Sequence, residues 1–452
     1  MIEYGACSCF GLCMSQQQVN WNQCLQHVAV TDIGMRRSNN QDSYSVVLAS
    51  DVEHWYQRGH MFIVADGMGA HAAGELASKL AVDGIPHLYH KHHDVSPPEA
   101  LQRAIQDTNI EVNRRGEANA DFKSMGTTSS VLVMLPQGAL IAHIGDSRIY
   151  RLRGEKLRQL TFDHSLVWEM KANGKLPEGI DVGQVVPKNV ITRSLGPNAR
   201  VKIDFEGPFP VAVGDTFLLC SDGLTGRVED EELAAFMAHM PPREAAAALT
   251  NLANVRGGPD NITIIIVKVI DPQITTSAVQ AEPLVLGAEQ REQRDVHPAI
   301  WVVTGVCALA ALVMAVLGNV VAALTAGCFG IVGAMVGILQ KFGSFKLGGR
   351  KEVALTEGRR LGGGPYTETD IPTKNALAKI IQDAVARSTN TSQKRNHEMD
   401  FDHVRREAAA AIDAAKAGDN AKALQTFSQT IDYMLERIRQ QQKEAASDSN
   451  VL

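Results

Sequence analysis

From Ala299 to Leu339 the chain carries no charged residue, a run of about 40 positions, whereas one bilayer-spanning helix needs roughly 20. That length divides everything else into a part before it and a part after it. Leu317-Gly318-Asn319 supplies turn residues at the midpoint, between IWVVTGVCALAALVMAV and VVAALTAGCFGIVGAMVGIL. A helical hairpin of two membrane spans is therefore expected over residues 299–340. Lys341, Lys346, Arg350, Lys351, Arg359 and Arg360 follow the second span closely, and the positive-inside rule places that end in the cytoplasm. Both flanks of a hairpin lie on one side, so the expectation is a two-span protein of the inner, cytoplasmic membrane with both its larger parts cytoplasmic. A buried soluble helix pair is the competing reading, for which the run is long.

The 452 residues exceed one typical domain. A formal net charge of -6 gives no basic footprint, so nucleic acid is not an expected partner. The seven cysteines do not form the dense framework of a small secreted domain. Cys7, Cys9 and Cys13 cluster in residues 1–23, read as a disordered leader in which Met14 offers an alternative start; no second ligand pair at zinc spacing accompanies them.

Residues 24–271 have the pattern of an α+β domain. The strand-like runs HVAV, DSYSVV, MFIV, SSVLVML, ALIAHI, RIYRL, KLRQL, KIDF, TFLLC and NITIIIVKVI are short and rich in β-branched and aromatic residues. Helices are expected after Gly74, after Ser96, near Glu229 and after Pro241, and RIYRL and KLRQL read as a hairpin. Residues 272–298 lack periodicity and read as a linker, as do 341–399. Residues 400–445 read as two helices around Ala417-Gly418-Asp419-Asn420, with Leu424, Phe427, Ile431, Met434 and Ile438 in one stripe. The pair faintly resembles a tetratricopeptide-type hairpin. A lone unit of that kind buries little, so it either packs on itself or another copy, or docks a partner.

The chemistry lies at strand ends. Asp42, Asp66, Asp146, Asp222 and Asp260 each stand beside Gly, Asn or Ser at the end of a strong strand. One such acid is an ordinary turn residue, but five at the ends of stacked sheets would repel unless cations lay between them. All-oxygen ligation suits Mg²⁺ or Mn²⁺, whereas zinc prefers His and Cys. Two such ions activate water for in-line attack on a phosphoryl group. Arg37, five positions before Asp42, has the guanidinium that grips two phosphate oxygens at once. In MFIVADGMGAHAAGE, Gly67 can offer its carbonyl to a cation and Gly69 can ease a sharp turn. A dinucleotide fingerprint fits this loop poorly, for lack of a second strand-end acid about 20 residues on. Ser147 and Ser221 have no His/Asp relay, which disfavours a serine nucleophile.

These motifs, in their order, resemble the bacterial branch of the type 2C (PPM) metal-dependent Ser/Thr protein phosphatases. The likeness rests on RSNNQD around Asp42, Asp66-Gly67-Met68-Gly69, Gly126-Thr127-Thr128 and Gly145-Asp146-Ser147-Arg148. It continues through TFDHSL at 161–166, ITRSLG at 191–196, Ser221-Asp222-Gly223-Leu224 and Pro259-Asp260-Asn261. It implies a four-layer α-β-β-α sandwich, followed here by the membrane hairpin and the C-terminal helical hairpin, and a centre of two Mn²⁺ or Mg²⁺ ions with a weaker third site. Asp66 would bridge two metals, the Gly67 carbonyl would bind one, and Asp222 and Asp260 would complete the set. Asp42 would act through water, Asp146 would serve the third metal, Arg37 would hold the substrate phosphate, and Thr128 would lie nearby. Met68 replaces the histidine that eukaryotic members use to protonate the leaving group, and Ala70 replaces a glycine. His71 is then a structural or supporting residue, and His164 a shaper of the flap beside the site. The expected function is hydrolysis of phosphoserine and phosphothreonine in proteins at the cytoplasmic face of a membrane, with phosphoproteins, a Ser/Thr kinase and its substrates as partners and self-association or docking through residues 400–445. A catalytically weak phosphoprotein-binding scaffold is the alternative.

Overall fold

Strand Ile262–Val269 shows how this sequence builds its layers. Side chains alternate across a strand, so Ile265 and Val267 join one buried cluster while Ile264 and Ile266 join another on the opposite face. A strand apolar on both sides belongs in the middle of a layered structure. The structure, a computed structural model, describes residues 20–70, 72–172, 190–276, 284–286, 298–328, 330–331, 353–355, 367–395 and 397–449.

In chain order the elements are β1 (Leu25–Asp32), β2 (Asp42–Val47), α1 (Val52–Arg58), β3 (His60–Met68), α2 (Ala73–Lys91), α3 (Pro97–Ala118) and β4 (Gly126–Thr127). Then come β5 (Ser129–Leu135), β6 (Gly138–Ile144), β7 (Arg148–Arg153), β8 (Lys156–Gln159), β9 (Asp204–Phe209), β10 (Thr216–Cys220), α4 (Asp230–His239), α5 (Pro242–Val255) and β11 (Ile262–Val269). Beyond these lie α6 (Pro298–Val316), β12 (Glu368–Asp370), α7 (Lys374–Lys394), α8 (Phe401–Ala417) and α9 (Asn420–Ser449). One sheet runs β1-β11-β10-β7-β8-β12 and the other β2-β3-β5-β6-β9, with β4 attached to β3. The two inner faces share a core that includes Phe62, Val64, Leu132, Ile141, Phe217, Leu219 and Ile265. α2 packs on β2 and β3 with α3 against it, while α4 and α5 cover the outer face of the first sheet. This is the expected four-layer sandwich, with its ten expected strands and four expected helices in place.

Two expectations change beyond residue 353. Part of the expected linker 341–399 is regular structure: β12 extends the first sheet by pairing with β8, and α7 is a helix of 21 residues. Residues 400–445 do form two helices about Gly418, but they are not a freestanding hairpin. Leu424, Phe427, Ile431 and Met434 of α9 and Leu377 and Ile381 of α7 belong to the same buried cluster as Phe236 of α4 and Leu249 and Leu252 of α5. The rings of Phe236 and Phe427 lie 6.1 Å apart. Polar bonds fix the bundle further: Asn251 donates to Asp432 at 2.8 Å, Arg387 to Glu229 at 3.0 Å and Arg439 to Asp32 at 3.2 Å. The apolar stripe of α9 is thus spent within the chain, as a fifth layer on the sandwich.

The chain divides into two compact units, residues 1–284 with 354–452, and residues 285–353. Where the first unit is interrupted, its cut ends meet, with Leu355 N–H donating to Leu284 O at 2.8 Å and both side chains buried. In the second unit α6 stops at the expected turn. Gly318 adopts φ +76°, its N–H donates to Ala315 O and that of Asn319 to Met314 O, the paired bonds of a glycine-terminated helix. Asn319 then accepts from Ala322 N–H at 3.2 Å and starts the next helical stretch, residues 320–328. Val306, Leu309, Leu312, Val316, Leu317 and Val321 are exposed. Among the described residues, no helix is long and apolar enough to cross a membrane. The rest of the expected second span, Cys7, Cys9, Cys13, His71 and the cations from Lys341 to Arg360 lie outside the described residues.

Candidate metal centre

Sheet register brings the first two acids together. β2 and β3 pair antiparallel with Asp42 directly opposite Asp66, so both carboxylates are delivered to the same end of one sheet. β10 and β11 end beside them: Asp222 begins the short helix after β10, and Asp260 lies in the turn that enters β11. Asp222 lies close enough to Asp66 for the two carboxyls to feel each other's charge. Ser221 Oγ donates to Asp42 Oδ2 at 2.7 Å and accepts from Thr263 N–H at 2.9 Å. Asp42 of one sheet is thereby tied to β10 and β11 of the other.

Asp66 is held from both sides of its backbone. Its N–H donates to Thr128 Oγ1 at 2.8 Å, and its carbonyl accepts from Thr128 N–H at 2.8 Å and Thr127 Oγ1 at 2.9 Å. Thr128, near the site as expected, therefore acts as a clamp on Asp66. Gly67 has a steric reason to be glycine, since a Cβ there would fall on the carbonyl oxygen of Gly74 and crowd that of Gln41. Its N–H donates to Gln41 O at 3.1 Å.

The electrostatics are those of crowded like charge. Burial, then the negative charges of Asp42, Asp222, Asp146 and Asp260, raise the Asp66 carboxyl well above its ordinary range. Asp42 is pushed up to about 7 by burial, with Ser221 pulling the other way and Asp222 and Asp260 adding to the rise. Asp146 is also pushed up to about 7, by burial and then by Asp222 and Asp163, and burial with Asp260 raises Asp222. Four carboxyls held against their preferred ionisation are a marker of a functional cleft.

The residues present suit hard cations. Asp42 Oδ1 and Asp146 Oδ1 are buried and have no hydrogen-bond partner. Two orphaned carboxylate oxygens among like charges are acceptors without donors, a deficit that Mg²⁺ or Mn²⁺ removes with oxygen ligands. Among the described residues, no three Asp, Glu, His or Cys side chains already stand as a closed cage. The acids adjoin one another electrostatically without converging, as mutual repulsion requires.

Arg37 overlooks the cluster. Its Nη2 donates to Asp260 Oδ2 at 2.8 Å, and its side chain is 48% exposed. The hydrogen bond to Asp260, with Asp66 and Asp222 beyond it, raises its basicity further. The guanidinium is aimed by one carboxylate and keeps solvent-facing donors for a phosphate.

His164 is buried, accepting from Gly145 N–H at 3.0 Å and pairing with Asp204 at 2.9 Å. Arg193 donates to the same Asp204 at 2.7 Å. His164 thus anchors the base of the segment beside the site and is not grouped with the acids. Two supporting residues had no role in the sequence reading. Ser221 holds Asp42, and Asn261 accepts from Gln41 N–H while donating to Ile33 O and Asn39 O, which fastens the Arg37 loop. Both stand within motifs of the family resemblance, and that position is the only signal they give.

Known proteins similar to this chain are bacterial phosphatases. The family model "Protein phosphatase 2C" matches residues 35–255. The serine/threonine phosphatase Stp of Listeria innocua is 36% identical over 244 residues, covering 53% of this chain and 93% of that protein. The protein phosphatase PhpP of Streptococcus pneumoniae is 38% identical over 245 residues, 53% of this chain and 95% of that protein. Among solved structures, the catalytic domain of the serine/threonine phosphatase PstP in complex with two manganese ions aligns at 32% identity. It covers 55% of this chain and 99% of that one, with a TM-score of 0.45. Likeness across nearly the whole of two bacterial phosphatases shows that the chain belongs to the protein phosphatase 2C family.

Proposed function

We propose that the chain hydrolyses phosphoserine and phosphothreonine in proteins at a centre holding two Mn²⁺ or Mg²⁺ ions, on the cytoplasmic face of a membrane. The observation that carries the reading is the pair of orphaned buried oxygens, Asp42 Oδ1 and Asp146 Oδ1, inside a ring of raised carboxyls beside an exposed, carboxylate-aimed arginine. Asp66, the Gly67 carbonyl, Asp222 and Asp260 would hold the two ions; Asp42 would act through water, and Asp146 would serve a third, weaker site. When bound, the ions polarise the phosphoryl group and acidify water at neutral pH.

The chain's own residues do the rest. Arg37 presents two donors to the phosphate and is fixed by Asp260. Thr127 and Thr128 hold Asp66, and Ser221 turns Asp42 so that Oδ1 stays free. Met68 ends β3 with no titratable group, so position 68 gives no proton to the departing alkoxide.

The test is Mn²⁺-dependent phosphate release from a phosphothreonine peptide by the full chain, against Asp66→Asn with Asp222→Asn. Wild type turns over, and the double variant falls by at least about a hundredfold. Equal inertness of the two would instead support a phosphoprotein-binding scaffold. The membrane part rests on the charge-free run, on its glycine turn and on the meeting of Leu284 and Leu355, which lets residues 285–353 leave and rejoin the first unit at one point, as a hairpin does. Recovery of the full chain from cells in the supernatant without detergent would sink it. Phosphoproteins, among them a Ser/Thr kinase and its targets, are the partners this reading implies.

A further inference from the structure

Three arginines from distant parts of the chain, Arg36, Arg227 and Arg395, lie beside one turn, residues 256–258, two through the backbone and one through its side chain. Arg256 Nη1 donates to the backbone carbonyl of Arg227 at 2.6 Å, Gly258 O accepts from Met35 N–H at 2.8 Å beside Arg36, and Arg395 Nη1 donates to Gly257 O at 3.4 Å. Arg395 closes α7, so it comes from the C-terminal bundle. A side chain on Gly257 would strike its guanidinium. Arg36 and Arg227 are exposed, Arg395 is half-buried, and the positive charges of Arg36 and Arg227 lower the basicity of Arg395 after burial does.

Among the described residues, none of the three is paired with a carboxylate, whereas Arg37, Arg387 and Arg439 nearby each are. Like charges near enough for two of them to weaken the third, with no carboxylate pairing any, leave the patch beside this turn locally positive. The arrangement is sensible where an anion arrives from outside, and Arg36 is the neighbour of Arg37.

We propose that Arg36, Arg227 and Arg395 form a second anion subsite that takes an acidic group flanking the phosphorylated residue of a substrate protein. The C-terminal bundle is then part of substrate recognition, because it supplies Arg395. This rests on the phosphatase reading of the Arg37 site and assigns it a substrate class, acidic phosphoproteins.

The experiment uses the full chain with Mn²⁺ and three phosphothreonine peptides, flanked by alanines, by glutamates, or by a second phosphothreonine. The ratio of kcat/KM for the glutamate peptide to that for the alanine peptide is read for wild type, Arg395→Gln and Arg36→Gln with Arg227→Gln. Wild type favours the glutamate peptide, and each lost arginine lowers the ratio by about threefold, the scale of an exposed ion pair. Arg395→Lys keeps most of it, and about 1 M salt erases it. A greater preference for the doubly phosphorylated peptide, lost in the same variants, assigns the subsite to phosphate; a preference confined to glutamate assigns it to carboxylate. Equal ratios in wild type and variants, or no preference in wild type, overturn the subsite. Should wild type release no phosphate from any peptide, the phosphatase reading falls, and fluorescence anisotropy of the same peptides on the wild-type chain then decides the subsite by the same comparison.

Discussion

Asp66 shows what an active site asks of a fold. Burial and then four neighbouring carboxyls oppose its ionisation, so replacing it removes repulsion along with a ligand. In chelator, Asp66→Asn is expected to melt a few degrees above wild type, since roughly 2–4 °C correspond to 1 kcal/mol in a domain of this size, and calorimetric scans check it. A lower melting temperature than wild type would refute the repulsion argument. His60 behaves oppositely. It accepts from Ala49 N–H at 2.9 Å and is held to about 3 by burial and then by the charge of His27, against an ordinary 6.5. The unfolded chain therefore takes up the proton first. Stability is full above about pH 6.5 and is lost as pH falls toward 3, by up to roughly 1.4 kcal/mol per unit. His143, also held to about 3 by burial, adds in the same direction. Denaturant midpoints for His60→Asn, whose amide oxygen can still accept from Ala49, should fall less steeply between about pH 6 and 4 than those of wild type. At this scale the five acids were legible because each ends a strand, a local fact. Ser221 was not, because its bond to Asp42 spans 179 positions of chain and nothing local announces it.

At the scale of elements, period-two alternation and the turn residues between strands were enough to find the sandwich, because those signals are local and strong. β12 escaped notice because three residues, Glu368–Asp370, carry too little pattern; what makes them a strand is the β8 edge and the ion pairs of Glu368 with Lys156 and Arg158. The stripe on α9 was visible, but its partner was not, since an apolar stripe says that something covers it and not what. Phe427, 2% exposed and packed on Phe236, makes the coupling measurable. Phe427→Ala should cost about 3–5 kcal/mol in a single transition that carries the phosphatase layers with it. A separate early transition that leaves those layers intact would show the bundle to be an independent domain.

For the whole molecule, the meeting of Leu284 and Leu355 makes residues 285–353 an insertion between two points already in contact. Joining 284 to 355 through a short Gly/Ser linker should give a chain that stays in solution without detergent, releases phosphate as the full chain does, and melts within a few degrees of it. Precipitation or loss of turnover would show that the insertion supports the fold. The charge-free run was the plainest feature of the sequence, yet that it interrupts the chain of another unit depended on contacts between residues far apart in sequence.

The fifth layer also has a consequence in time. The strands bearing Leu218, Ile264 and Ile266, with the α4 and α5 helices on them, have all been made by residue 271, but the side chains that cover those helices come from residues 377–435. Synthesis runs at 5–20 residues per second, so an apolar surface waits on the order of ten seconds or more on the ribosome. During that wait the charge-free run of residues 299–339 emerges as well, so the nascent chain carries two apolar stretches at once.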